Sequence, residues 1–362
     1  MQASIPNPCR PHLEKFVSGD HPESFAGEIT AAGEALRPVI STGMTGARCR
    51  ARKTPRFILA VLLAGALLSP ATSQTDSAPF LVVLGIAQDA GVPQAGCNRE
   101  CCSRAWHDAS LRRKVTALGL VDPQTAACWL IEATPDFPEQ LHTLLALAPA
   151  PATLAGIFLT HAHIGHYTGL MHLGREGMGA RAIPVYAMPR LRAFLRTQGP
   201  WDQLVRLQNI RLHPLQHDST IILNSRLQIT PILVPHRDEY SETVGFRISG
   251  PRRRVLFIPD IDKWEKWERD IEDELARADV AYLDGTFYAV HEIPGRDLAE
   301  IPHPFIVESL ARWHSLRRQD RARIKFIHLN HTNPALQAHS EAARTLQEAG
   351  MAVAREGERI EL

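Results

Sequence analysis

The chain has no charge of one sign to spare: 40 Lys and Arg stand against 39 Asp and Glu, a formal net charge of +1. That balance provides no electrostatic footprint for nucleic acid, so no nucleic-acid partner is expected. A long apolar run is missing too. The one at residues 57–68 stops after 12 residues, well short of the roughly 20 that a membrane-spanning helix needs. No cysteine follows that run closely, the next being Cys97, which argues against a lipid-anchored leader. Internal repeats and low-complexity segments are absent, which excludes a solenoid. What remains is ordinary for a globular enzyme. Apolar residues make up 44% and charged residues 22% of 362 positions, enough to bury a large core.

The short apolar run does have a meaning of its own. Residues 48–56 (Arg-Cys-Arg-Ala-Arg-Lys-Thr-Pro-Arg) are basic, and Ser69-Pro70-Ala71-Thr72-Ser73 supplies small residues behind it. Basic region, apolar core and small residues in that order form a secretory signal pattern. A signal core does not normally lie behind a long tail, and Met44 would give a conventional start. The expected organisation is residues 1–43 disordered or a mis-assigned gene start, 44–73 a signal peptide, and 74–362 one folded domain that is exported. A cytoplasmic tail on a single-pass anchor is the alternative.

The most informative stretch is Thr160-His161-Ala162-His163-Ile164-Gly165-His166, with Gly169-Leu170 beyond it. Three imidazoles fall directly after the apolar run at 154–159, at a strand-to-turn boundary that can aim several neutral nitrogens into one pocket. Imidazole suits zinc, copper, iron and nickel. The plainer alternative is a surface turn that happens to be rich in His. Three downstream runs end the same way: residues 228–234 deliver Pro235-His236, residues 255–258 deliver Pro259-Asp260-Ile261-Asp262, and residues 324–327 deliver His328-Leu329-Asn330-His331. Strands presenting polar residues on loops are how a rigid scaffold carries a site.

In this order the residues resemble the His-x-His-x-Asp-His signature and downstream ligands of the metallo-β-lactamase superfamily. The resemblance implies a four-layer αβ/βα sandwich, α/β (α+β) in class. It also implies that His161, His163 and His236 hold one metal, with Asp260 bridging to a second held by His166 and His328. One position departs: the family's Asp is Gly165. A tight second metal is therefore not expected, unless Asp262 or Asp238 substitutes, or Gly165 answers a strained turn. Three neutral imidazoles leave a metal most of its charge, so bound water there would ionise at a pKa of roughly 7. Zinc is the expected ion, with iron or manganese as alternatives.

A second cluster follows the opening strand at 80–86: Gln88-Asp89-Ala90-Gly91-Val92-Pro93-Gln94, then Cys97-Asn98-Arg99-Glu100-Cys101-Cys102. This loop and its cysteines are similar to those of the PQQ synthesis protein B branch, and a related cluster occurs in phosphonate-pathway cyclic phosphodiesterases. The resemblance implies a structural zinc on Cys97, Cys101 and Cys102, with His331 as fourth ligand. A disulfide among these cysteines or with Cys128 is the rival in an oxidising compartment. Residues 282–288, 301–304 and 328–334 fit the same branch. Within them, His303 is expected either to serve acid–base chemistry or to sit on an exposed loop, and Asp262 is a second proton-transfer candidate.

The reading is an exported metal-dependent hydrolase acting on a small-molecule ester, amide or phosphoester through metal-activated water. A PQQ-related redox protein or PQQ carrier is the alternative. The oligomeric state is left open. Trp264 and Trp267 are expected on one apolar helix face within 262–277, and Arg252-Arg253-Arg254 at a hairpin turn.

Overall fold

The computed structural model describes residues 77–293, 295 and 301–362. The expected disordered start and signal peptide lie outside the described residues. Among the described residues fourteen strands are formed in chain order: β1 (Phe80–Gly85), β2 (Ala117–Asp122), β3 (Ala127–Ile131), β4 (Thr153–Phe158), β5 (Ile183–Ala187), β6 (Ile210–Pro214), β7 (Ile221–Ile222), β8 (Gln228–Leu233), β9 (Val244–Ser249), β10 (Arg254–Ile258), β11 (Val280–Asp284), β12 (Ile324–Ile327), β13 (Ala352–Val353) and β14 (Arg359–Glu361). They make two seven-stranded sheets, ordered β14-β1-β2-β3-β4-β5-β6 and β13-β12-β11-β10-β9-β8-β7.

The central strands read as unbroken apolar runs because both of their faces are covered. Along β1, Leu81 and Val83 face the second sheet while Val82 and Leu84 face the helices outside. The inter-sheet layer joins Leu118, Ile131 and Phe158 to Ile229, Phe246, Phe257 and Tyr282. On the outer face of the first sheet lie Phe137, Leu141 and Leu144 of the helix Phe137–Ala146, with Leu191 and Leu195 of the helix Pro189–Thr197. Outside the second sheet lie Ile271, Ile306, Trp313 and Leu346. Helix, sheet, sheet and helix are the four layers expected from the sequence.

Strand direction places the site. Strands β3 to β6 run parallel, as do β10 to β13, and the antiparallel pairings β1–β2–β3 and β8–β9–β10 give β1 and β8 the same sense as β3 and β10. The C-terminal ends of β1, β3 and β4 therefore gather at one edge of their sheet, and those of β8, β10, β11 and β12 at one edge of the other.

Some elements differ from expectation. The long helix at 262–277 is instead a 3₁₀ turn at Trp264–Lys266 and a helix at Ile271–Ala276, capped by the Asp270 side chain accepting from Glu272 N. Trp264 and Trp267 are both buried, donating to Ser309 Oγ and Leu233 O. Strand β2 carries Gly119, whose missing side chain weakens the strand signal. Packing explains the glycine: a Cβ there would lie 2.5 Å from Leu144 Cδ1. Arg252–Arg253 do turn the β9–β10 hairpin, where Gly250 N donates to Arg253 O. Among the described residues no helix is long and apolar enough to cross a membrane.

Candidate metal centre

Every ligand nominated for the histidine–aspartate centre sits past a strand end. His161, His163 and His166 follow β4, His236 follows β8, Asp260 follows β10 and His328 follows β12. His161 Nε2 lies 2.8 Å from His163 Nδ1, and with His236 they offer three nitrogens within 4.8 Å of one another. Beside them, His166 Nε2 and His328 Nε2 lie 3.1 Å and 3.3 Å from Asp260 Oδ2. Asp260 Oδ1 faces the first group, 3.8 Å from His236 Nε2. One carboxylate thus stands between two nitrogen clusters.

A carboxylate that sequence reasoning did not nominate completes the second cluster. Asp89, on the loop after β1, places Oδ1 3.2 Å from His166 Nε2 and 3.9 Å from His328 Nε2. Neither expected substitute reaches the site. Asp262 accepts from Lys263 N and Lys266 Nζ, and Asp238 accepts from Thr243 Oγ1. The strained-turn explanation of Gly165 also falls, since its backbone lies in a short helix without positive φ.

The donor set fits a metal. Asp89 Oδ1, Asp260 Oδ2 and the Nε2 atoms of His166, His236 and His328 are all buried without a hydrogen-bond partner. Buried polar atoms in that condition are costly and rare. His166 Nε2 lies 3.2 Å from Asp89 Oδ1 and 3.1 Å from Asp260 Oδ2, and His328 Nε2 3.3 Å from Asp260 Oδ2, without hydrogen-bond geometry, as atoms facing a shared point do.

Electrostatics agree. Burial pushes the His161 imidazolium well below its ordinary value, with His166 adding to the effect, and burial lowers His236 to about 4. Both rings are neutral lone-pair donors at neutral pH. Burial would raise the Asp260 carboxyl, yet the imidazoles of His328 and His166 hold it well below the carboxylate range. For His166, burial works against charge, but Glu132 and Asp260 carry it well above the usual histidine value.

Outer partners orient the rings. Thr160 Oγ1 is 2.8 Å from His161 Nδ1, Glu239 Oε2 is 2.9 Å from His163 Nε2, and Thr286 Oγ1 is 3.0 Å from His328 Nδ1. Glu132, fully buried at the end of β3, sets Oε1 3.5 Å from His166 Nδ1. Such contacts select the tautomer that presents the opposite nitrogen to an ion. Glu132 and His328 both adopt left-handed backbone, φ 76° and 65°, a conformation that non-glycine residues hold when their surroundings demand it. An acid closing a buried strand was the available sequence signal for Glu132.

His303 is buried rather than on an exposed loop. Its Nδ1 is 2.8 Å from Asp284 Oδ2 and 3.7 Å from Asp260 Oδ1. Burial opposes its charge, but Asp284 outweighs that and raises its pKa. With Nδ1 so held, the ring borders a cleft of about 590 Å³ that is also lined by Asp89, Gln94, Arg99, Arg237 and Phe287. Asp262, engaged by the Lys263 amide and the Lys266 ammonium, lies outside this arrangement.

The cysteine cluster assembles as a separate group. Cys102 Sγ and Cys101 Sγ lie 3.3 Å and 3.5 Å from His331 Nδ1, and Cys97 Sγ lies 3.8 Å from Cys101 Sγ. A tetrahedral site with Zn–S bonds of about 2.3 Å has sulfurs about 3.8 Å apart, so the spacing fits zinc. All three thiols are free, and Cys128 is buried apart from them against Leu144 O. No disulfide joins the four. Burial raises the Cys102 thiol to about 12, a cost that a bound cation would offset.

A family model for the β-lactamase superfamily domain matches residues 129–354, more than half of the chain. The chain belongs to the β-lactamase superfamily. Among curated proteins it is similar to coenzyme PQQ synthesis protein B of Xanthomonas campestris pv. campestris, 28% identical over 306 residues, covering 78% of this chain and 99% of that protein. It is likewise similar to the protein of that name from Cupriavidus necator, 28% identical over 77% of this chain and 98% of the relative. Among solved structures, Zn(2+)-bound PqqB from Methylobacterium extorquens aligns with a TM-score of 0.65 at 23% identity, over 78% of this chain and all of that one. A diphosphatase from the PhnP family aligns with a TM-score of 0.56 at 24% identity, over 79% and 98%. At these identities the structural likeness establishes the fold. The superfamily fold implies a metal, and the residues gathered here form groups able to hold one.

Proposed function

We propose that this member of the β-lactamase superfamily is a metal-dependent hydrolase of a small anionic ester, with phosphoesters foremost. The observation that carries the reading is a pair of adjacent donor groups, His161–His163–His236 and Asp89–His166–His328 beside Asp260, among which five buried Nε2 and carboxylate oxygen atoms have no hydrogen-bond partner. His161, His163 and His236 would hold one ion, and His166 and His328 a second, with Asp260 between them. Bound there, zinc supplies Lewis acidity and an activated water. The protein's own groups do the rest. Arg99 and Arg237 border the cleft and offer guanidinium donors suited to a phosphate or carboxylate. His303, fixed through Nδ1 by Asp284, is placed to give a proton to a leaving oxygen. The Cys97–Cys101–Cys102–His331 group would carry a closed structural zinc.

The test is turnover of chromogenic phosphodiesters and carboxylic esters by the zinc-loaded protein. His161→Ala should reduce it by at least about 1,000-fold, as expected when an activating centre is removed. Wild-type protein holding zinc at both centres yet turning over neither ester class would sink the reading.

The curated relatives favour a second reading, a redox or binding role connected with PQQ, because 28% identity extends over almost their whole length. Iron as the bound ion, with activity that vanishes without air, would select it. Export, proposed from the basic residues 48–56 ahead of the apolar residues 57–68, is tested by fractionating cells that express the full chain. Recovery only in the cytoplasm would refute it.

A further inference from the structure

The superfamily signature places an aspartate where this chain has Gly165, yet the second cluster is not short of a carboxylate. We propose that Asp89 takes that aspartate's role as a ligand of the second metal, and that position 165 is glycine because the Asp89 loop fills the space. The proposal rests on the metal-dependent reading above.

Three observations carry it. A Cβ added at Gly165 would lie 2.3 Å from Asp89 Oδ1, 2.4 Å from Asp89 Cα and 2.9 Å from Asp89 Cβ. The obstacle includes backbone, so no side chain fits at 165 unless the whole loop moves. Conformation does not demand glycine there, since Gly165 lacks positive φ. Finally, Asp89 Oδ1 is buried, has no hydrogen-bond partner and faces the Nε2 atoms of His166 and His328.

The loop is tied to another ligand-bearing segment. Gln88 N donates to Leu329 O, Leu329 N donates to Ile86 O, and Gly91 N donates to Gln88 O. Asp89 is thereby registered against the residue that follows His328. The two centres then differ in charge: three neutral imidazoles on one side, and two imidazoles with the Asp89 and Asp260 carboxylates on the other. The second centre is as anionic as one built on the usual signature, by a different route through the chain.

Zinc content and affinity of the full chain test this without reference to activity. Elemental analysis at saturating zinc should find three ions per wild-type chain: the cysteine site, the three-His site and the Asp89 site. Asp89→Ala and the isosteric Asp89→Asn should each hold two. Competition with a chromogenic chelator should show the lost ion bound at least about 100-fold more weakly. Gly165→Ala, which leaves every ligand in place, should lose the same ion because the methyl group displaces the loop. Three ions of unchanged affinity in Asp89→Asn, or only two in the wild type, would overturn the Asp89 assignment while the three-His reading stands. A wild type with zinc at the cysteines alone would overturn both.

Discussion

Glu132→Gln isolates what a buried outer carboxylate contributes to the metal centre. In the structure His166 lies between carboxylates, Glu132 Oε1 at 3.5 Å from Nδ1 and Asp89 and Asp260 at 3.2 Å and 3.1 Å from Nε2. A metal on Nε2 requires the ring proton on Nδ1, facing Glu132. Unit charges at that distance in an effective dielectric of 20 interact by about 5 kcal/mol, an upper bound because the ring's charge is shared with the metal. Outer-carboxylate losses of 10- to 100-fold in affinity, about 1.4–2.7 kcal/mol, are the expected fraction. Glutamine keeps the shape and can still accept from Nδ1, so the change reads charge and tautomer rather than a cavity. The assay is chelator competition for the second zinc, with the three-His zinc and the cysteine zinc as internal controls. Thermal melting of protein lacking active-site metal gives a second readout. There the substitution should lower the melting temperature, because Glu132 is the foremost group favouring the charged form of the buried His166 ring. Unchanged zinc affinity, or equal weakening at all three sites, would refute the reasoning.

Two further outcomes are expected. Cys102→Ser should release one zinc and lower the melting temperature while the two histidine centres keep their ions on titration, since Cys102 sits only against its own cluster and Gln94 N; retention of all the zinc would exclude that site. Glu274, 3% exposed, takes a bidentate pair from Arg247 and a contact from Arg269. Burial alone would raise its pKa, but Arg247 brings it below 4.5. The pair's contribution is therefore full above pH 4.5 and is lost as pH falls through the folded value. Glu274→Gln should cost about 2 kcal/mol at pH 7, below the usual range for a broken buried pair because Arg247 is partly exposed. Denaturant unfolding should show that gap closing below pH 4.5, and a gap independent of pH would count against it.

The sequence by itself determined the layered fold and most of the site. Strands buried on both faces must be largely apolar, so β1, β3, β4 and β10 could be read from composition, and His161, His236, Asp260 and His328 each stand within three residues of a strand end. His161, His163, His166, His236, Asp260 and His328 were legible because local order along the chain matched the superfamily signature. Gly165 was legible as a departure. Its reason was not, because the atoms that exclude a side chain there belong to Asp89, on a different strand end. Glu132, Glu239 and Thr286 escaped for the same cause: they meet the imidazoles only when the fold brings separate strand ends together, Glu132 and Thr286 from neighbouring parallel strands and Glu239 from the other sheet. Asp262 was misjudged because adjacency in sequence to Asp260 does not fix side-chain direction, and the Lys263 amide and Lys266 ammonium claim its oxygens. Periodicity reports which face of an element is buried. Which carboxylate reaches which imidazole is decided by the registry between strands, and only the tertiary structure holds that.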